Sequence, residues 1–272
     1  MTRRVLLLGC GAQGRAVLHD LAFGDDPVHV VVADREQSAG KAIRGYAASR
    51  VEARMVDATD EAAVAALMRE ADVVVEALPG PFALPMARLA ADCGVSLVSS
   101  MYLRDPQEQD AVRIAATERA IHELDDAARR RGVVILPEFG LDPGLDLILG
   151  ARALAELDEV VEFHSYGAGL PGLAARDNAL GYRFSWSPIG VMRSYRRPAR
   201  MITGGAAVQI DPAALFEPGR HHIVEVPEIG APSSAIRTAT RCITRSSSAC
   251  ARPCAKWRAT PGGTSATAPS GT

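Results

Sequence analysis

Short apolar runs alternate with amphipathic stretches through the first half of this chain. Val5-Leu6-Leu7-Leu8 is apolar at every position, which suits a strand buried on both faces. The pattern then predicts a helix over 15–23, an apolar strand over 28–34, a helical segment over 37–49 and a short strand over 53–56. An amphipathic helix over 61–70 opens behind Asp60 as N-cap, and a strand covers 72–79. A helix over 84–93 stops at Gly94, a strand covers 96–100, a long helix over 111–130 closes at Gly132, and a strand covers 133–137. Regular βα alternation with short connections predicts a parallel, doubly wound sheet of the Rossmann type. Ligands of such sheets sit off the carboxyl ends of the strands. That rule gathers 9–14, Asp34, Asp57, 77–79, 99–102 and 138–144 around one crevice.

Beyond Glu138 the pattern changes. A helix is predicted over 145–157, with Pro143 near its first turn, and a strand over 160–166. Gly167-Ala-Gly-Leu-Pro-Gly breaks that strand, residues 177–192 mix aromatic and polar positions, and 208–210 and 223–226 look like strands. The fold class is therefore α/β: a dinucleotide-binding domain over 1–144, a smaller α+β substrate domain over 145–230, and a disordered, low-complexity tail over 231–272.

Gly9-x-Gly11-x-x-Gly14 stands between the first strand and the first helix. Gly9 permits the tight turn, Gly11 lets backbone approach a pyrophosphate, and Gly14 lets helix and strand pack closely. The N–H groups at the helix start, at Ala12 and Gln13, then face the anion. A lone glycine pattern is weak, but this one has a strand before it, a helix after it and an acid at the end of the next strand. That acid, Asp34, lies twenty residues past Gly14. It can accept from both ribose hydroxyls and would repel a 2′-phosphate, which favours NAD. Arg35 can pair with a 2′-phosphate, so NADP stays open. Asp57, Ala77, Leu78, Pro79 and Ser99, at the ends of later strands, complete the expected cofactor contacts.

Bulk composition narrows the class only slightly. The 272 residues are 48% hydrophobic and 23% charged, with a net charge of −2, ordinary for a globular protein and no reason to expect a nucleic-acid partner. No apolar run is long enough to span a bilayer. Leu7-Leu8-Gly9-Cys10 resembles a lipoprotein cleavage box, but the apolar stretch before Cys10 is too short for a signal segment. Cys10 and Cys93 sit in apolar elements and read as buried thiols, so a reducing cytoplasm is expected. Neither the five cysteines nor His221-His222 show metal-ligand spacing, and His164 is a lone histidine in a strand pattern. A homodimer is one assembly left open.

Two later blocks are more specific. Gly140-Leu-Asp-Pro-Gly144 follows a strand, and Gly167-Ala-Gly-Leu-Pro171 precedes Asp177-Asn-Ala-Leu-Gly-Tyr-Arg-Phe-Ser-Trp-Ser187. With the N-terminal glycine pattern, these blocks resemble the saccharopine dehydrogenase (reductase-type) family, with lysine 6-dehydrogenase as a cousin, over residues 1–230. The resemblance implies an NAD(P)-dependent oxidoreductase acting on a C–N bond of a saccharopine- or lysine-like amino acid. In that chemistry a secondary amine loses hydride to the cofactor and the resulting imine is hydrolysed. The resemblance further implies substrate contacts from Met101, Tyr102, Asp142, Gly167, Ala168, Gly169 and Leu170. Asp142 and Tyr102 would be the catalytic pair. Asp142 is the carboxylate best placed for an ammonium group and the nicotinamide edge; its alternative is a helix N-cap before Pro143. The 177–186 stretch is either a pocket wall or a structural aromatic strand. The chain departs from the family at Met101, where Ser is usual, and at Gly167, where Cys is usual. Both changes remove polar groups near the expected substrate. Water, Tyr102 and Asp142 all stay open as the route of the proton.

The end of the chain has a different character. After Glu228 there is no acidic residue, whereas Arg237, Arg241, Arg245, Arg252, Lys256 and Arg258 are all basic. Ser, Thr, Ala, Arg, Pro and Gly follow one another without period, a composition that should not pack. Reverse translation of 231–264 with GC-rich codons, read two nucleotides later, yields Y-P-N-R-D followed by an amphipathic helix and R-Y-x-G. Both motifs suit the family's continuation, so 231–272 reads as out of frame. The displaced Arg would be a carboxylate anchor. The alternative function is then a catalytically inactive, truncated nucleotide-binding remnant.

Overall fold

The computed structural model describes residues 2–36, 50–106 and 108–161, then 163–217 without 168, 170, 176, 180, 181, 185, 186, 204 and 205. Beyond 217 it describes the strands at 222–226, 231–235 and 265–267. The predicted helical segment over 37–49 lies outside the described residues. The chain divides into two compact units, Met1–Gly144 and Leu145–Thr272.

In the first unit, six parallel strands form one sheet: β1 (Arg3–Leu8), β2 (Val28–Asp34), β3 (Val51–Met55), β4 (Val73–Glu76), β5 (Ser96–Ser99) and β6 (Ile135–Leu136). Their order is β3-β2-β1-β4-β5-β6, so the order reverses between β1 and β4, where ligands of such sheets bind. Helix α1 (Ala12–Phe23) covers one face; α2 (Glu61–Arg69) and α3 (Ala83–Cys93) cover the other. The period of two sorts the apolar run of β1 between them. Leu7 packs with Leu18, Ala22, Val30 and Val32. Leu6 and Leu8 pack with Val64, Met68, Met86 and Ala90. The long helix α4 (Ala111–Arg131) lies on α3 through Leu124.

Element ends follow local chemistry. The Asp60 carboxylate accepts from Ala63 N–H at 3.0 Å, and Asp110 caps α4 through Val112 and Arg113 N–H. Gly94 and Gly132 end their helices at φ 73° and 68°, a conformation that costs glycine least. Strand β4 stops at Glu76, short of the predicted 79, because Leu78 N–H turns to the Glu76 carboxylate and Pro79 leads into a short 3-10 turn. Strand β6 is shorter than 133–137. Val133 N–H returns to Ala128 O at the end of α4, Val134 N–H goes to Ser96 Oγ, and Pro137 has no N–H to give.

The second unit opens with α5 (Leu145–Ala155), followed by β7 (His164–Tyr166) and α6 (Pro188–Ser194). Three antiparallel pairs follow the chain: β8 (Ala199–Thr203) with β9 (Ala206–Ile210), β10 (His222–Val226) with β11 (Ala231–Ala235), and β12 (Ser265–Thr267) with β7. A small core of Ala199, Met201, Ile210 and Leu215 underlies the first pair. Helix α6 and strand β8 were not foreseen. The signal for α6 was present, because Ser187 caps Gly190 N–H and Pro188 opens the helix. Strands β11 and β12 fall within 231–272, where composition suggested no packing; the rest of that tail lies outside the described residues.

Candidate functional site

The glycine loop is built from backbone. Gly9 has φ 90°, and a Cβ there would meet Ala77 O at 2.8 Å. Its N–H donates to Ala33 O at 2.8 Å, while Ala77 N–H donates to Leu8 O at 2.8 Å. A Cβ on Gly14 would collide with the Gly9 carbonyl oxygen and lie 2.9 Å from its carbon. A Cβ on Gly11 would meet nothing within 4 Å. Gly9 and Gly14 are therefore required by the protein's own packing, whereas the space over Gly11 is open. Gly11 is also the N-cap of α1, with no side-chain cap and no acid in the first turn. The N–H groups at Ala12 and Gln13 thus begin a helix with no carboxylate set against them. This cradle fits a dinucleotide pyrophosphate.

Asp34 closes the loop from below. Its Oδ2 accepts Cys10 N–H at 2.6 Å and its Oδ1 accepts Glu36 N–H at 2.7 Å. Arg35 beside it is exposed, with its Nε 3.8 Å from Glu36 Oε1. At the end of β3, Asp57 accepts from Thr59 N–H and Oγ1 at 2.9 and 2.8 Å. These bonds hold its carboxyl below the usual range, with a lesser contribution from the Arg35 charge. Burial pushes the Cys10 thiol up, and the Asp34 charge adds to that; Cys10 is an inert wall of the loop.

At the ends of β4 and β5 the loops are tied together. Ser99 is buried and its hydroxyl bonds the Glu76 carboxylate; Ser99 Oγ also accepts Met101 N–H at 3.0 Å. Ser100 Oγ lies 3.4 Å from Gln13 Oε1, reaching back to the glycine loop. A Cβ on Gly80 would meet the Met101 methyl at 3.2 Å, so the turn after Pro79 lies against Met101. The 138–144 loop hangs from the same place: Glu138 N–H donates to Met101 O and Phe139 N–H to Ser99 O. Glu138 takes φ 59°, the one positive φ among the described non-glycine residues. Gly140 N–H closes the loop on Pro143 O at 2.9 Å, and Asp142 is half-buried within it. These bonds tie the glycine loop to Asp34 and Ser100, and the 99–101 segment to the 138–144 loop; Tyr102 is half-buried beside Met101 in the chain.

Gly167 to Leu170 belong to the second unit. Gly167 and Gly169 are described there, whereas Ala168 and Leu170 lie outside the described residues. Between 177 and 184 the described residues are loop and turn rather than strand. Arg183 Nη2 holds both Asp177 oxygens at 2.7 and 2.8 Å, and Asn178 Nδ2 donates to Tyr182 O. Among the described residues there is no cluster that could hold a metal, and no helix is long and apolar enough to cross a membrane.

Glu76 is the site residue that sequence reasoning missed. It is buried, and burial pushes its carboxyl up against the opposing pull of the bonds from Ser99 and Leu78. The signal was a single acid ending the apolar run Val73-Val74-Val75.

Two family models match this chain: the saccharopine dehydrogenase NADP binding domain over residues 5–136, and the saccharopine dehydrogenase C-terminal domain over residues 140–245. The second match runs past residue 230. Saccharopine dehydrogenase (NADP(+), L-glutamate-forming) of Saccharomyces cerevisiae is 28% identical over 228 residues, covering 82% of this chain and 47% of the relative. Alpha-aminoadipic semialdehyde synthase of Arabidopsis thaliana is 29% identical over 243 residues, covering 80% of this chain and 21% of the relative. The structure of apo saccharopine dehydrogenase (L-Glu forming) from S. cerevisiae superposes with a TM-score of 0.70 at 27% identity, over 87% of this chain and 50% of that one. The chain therefore spans about half the length of the yeast relative.

Proposed function

Because this chain belongs to the saccharopine dehydrogenase family of oxidoreductases, we propose that it moves hydride between NADP(H) and a C–N bond of a saccharopine-like amino acid. The observation that carries this reading is the bonding of the 99–102 and 138–144 loops to each other at the sheet end that bears the glycine cradle. Sequence alone favoured NAD, on the ground that Asp34 would take both ribose hydroxyls. In the folded chain each Asp34 oxygen already accepts a backbone N–H. The exposed Arg35 guanidinium beside it suits a 2′-phosphate, and the yeast relative's name states NADP(+). NADP(H) is therefore our reading.

Bound NADP(+) supplies the hydride acceptor. Gly9, Gly11 and the N–H groups of Ala12, Gln13 and Gly14 would hold its pyrophosphate, and Ala77–Pro79 with Ser99 would border the nicotinamide. Asp142 holds the substrate ammonium. Water held by the Tyr102 hydroxyl would take the proton that leaves nitrogen as the imine forms. Water then adds to the imine, and the C–N bond breaks to release L-glutamate and an aldehyde. The test is NADPH formation from NADP(+) and saccharopine, read by nicotinamide absorbance, with L-glutamate assayed as product. Tyr102→Phe and Asp142→Asn should each slow turnover about a hundredfold while NADPH still binds. The acid-free composition after Glu228 favours a second reading, a nucleotide-binding remnant without turnover. NADPH binding with no turnover of saccharopine or lysine would select it.

A further inference from the structure

Glu76 carries more than the end of a strand. It is 1% exposed, in a sheet whose other buried positions in β1, β2 and β4 are apolar. A carboxyl in such a place is costly unless its oxygens are bonded. Here Oε1 accepts Leu78 N–H at 2.7 Å and Oε2 bonds the Ser99 hydroxyl. Ser99 Oγ in turn accepts Met101 N–H at 3.0 Å. Met101 O and Ser99 O then receive Glu138 and Phe139 N–H at 3.1 and 2.9 Å. One carboxylate therefore lies under three loops: 77–79, which borders the cofactor, 99–102, which faces substrate, and 138–144, which carries Asp142.

We propose that Glu76 is a positioning residue that sets the 77–79 loop against the 99–102 loop and so holds the nicotinamide end of bound NADP(H). The proposal rests on the cofactor reading above. The adenine ribose does not depend on this clamp. It would meet Asp34 and Arg35, whose bonds run to Cys10 and Glu36. Loss of the clamp should therefore be felt at one end of the cofactor only.

The experiment compares two probes on the full chain: NADPH, followed by nicotinamide fluorescence, and 2′,5′-ADP, which carries only the adenine half. Glu76→Leu keeps the bulk and removes both hydrogen bonds. It should weaken NADPH about tenfold and leave 2′,5′-ADP within about twofold. Glu76→Gln still spans Leu78 N–H and Ser99 Oγ and should recover most of the NADPH affinity. Should Glu76→Leu fail to fold, Ser99→Ala breaks the clamp from the other side and should give the same split between probes. Equal weakening of both probes, or unchanged NADPH binding in the Leu and Ala variants, would overturn the proposal and leave the cofactor reading standing. A wild-type chain that binds 2′,5′-ADP but not NADPH, or binds neither, would overturn the cofactor reading and the proposal together.

Discussion

Two glycines three residues apart should fail in opposite ways when each receives one methyl group. At Gly14 the new Cβ would lie 2.9 Å from Gly9 carbon, where ordinary contact begins at 3.4 Å, and closer still to Gly9 oxygen. The start of α1 must therefore move off β1 by at least about 0.5 Å, an overpacking that costs roughly 1–3 kcal/mol. For a unit of this size that lowers Tm by roughly 4–12 °C. At Gly11 a Cβ meets nothing within 4 Å. Alanine is the poorer N-cap by about 0.5–1 kcal/mol, and the gain from a stiffer unfolded chain, about 0.4–1 kcal/mol, offsets it. Gly11→Ala should thus melt within about 3 °C of wild type. It should nevertheless bind NADPH at least about tenfold more weakly, because the methyl occupies the approach of the pyrophosphate. Thermal melts and NADPH titrations of both variants form the assay. A Gly11→Ala chain that binds normally, or a Gly14→Ala chain that melts like wild type, would refute the reasoning.

Other outcomes follow from the same geometry. Burial raises the Glu76 carboxyl from its ordinary 4.5, so above that pH the folded chain holds more protons than the unfolded one, and stability falls as pH rises. Melts of Glu76→Gln against wild type should show an advantage that grows as pH rises above 4.5; a constant offset would contradict this. Arg35→Ala should weaken NADPH about tenfold and leave NADH unchanged, read by fluorescence titration; equal loss would place Arg35 elsewhere than on the 2′-phosphate. Val134, Phe139 and Leu141 are exposed apolar residues of the first unit. Restoring the shifted frame of 231–264 should reduce hydrophobic-dye binding and yield amino-acid-dependent NADP(+) reduction; dye binding that does not change would count against the frame reading.

The first unit was legible because its central strands β1 and β2 are buried on both faces and its helices on one. Val5–Leu8 and Val30–Val32 read as continuous apolar runs, and Leu18 and Ala22 recur at helical spacing behind the glycine pattern. The acids at strand ends were equally plain. What sequence could not give was the job of each acid. Asp34 was read toward a ribose, and the fold shows that its oxygens also hold the loop. Glu76 was passed over because a lone acid in an apolar run carries no motif, and its meaning depends on Ser99, brought beside it only by the pairing of β4 with β5. The second unit was harder. Its β8–β9 hairpin has mixed polarity and packs on a small cluster, so β8 left no clear alternation and α6 announced itself through Ser187 and Pro188.

The bonds that Asp34 and Ala33 make to the glycine loop have a kinetic meaning as well. A phosphate-binding loop fastened in this way has lost its conformational freedom during folding rather than on encounter with the dinucleotide. Association then carries little ordering penalty, and the cofactor meets a rigid mould instead of shaping one. A chain of this kind would take up nucleotide in a single fast phase whose rate scales with concentration, without the slow rearrangement that follows binding to a floppy turn. Its affinity would be adjusted chiefly through how quickly the nucleotide leaves.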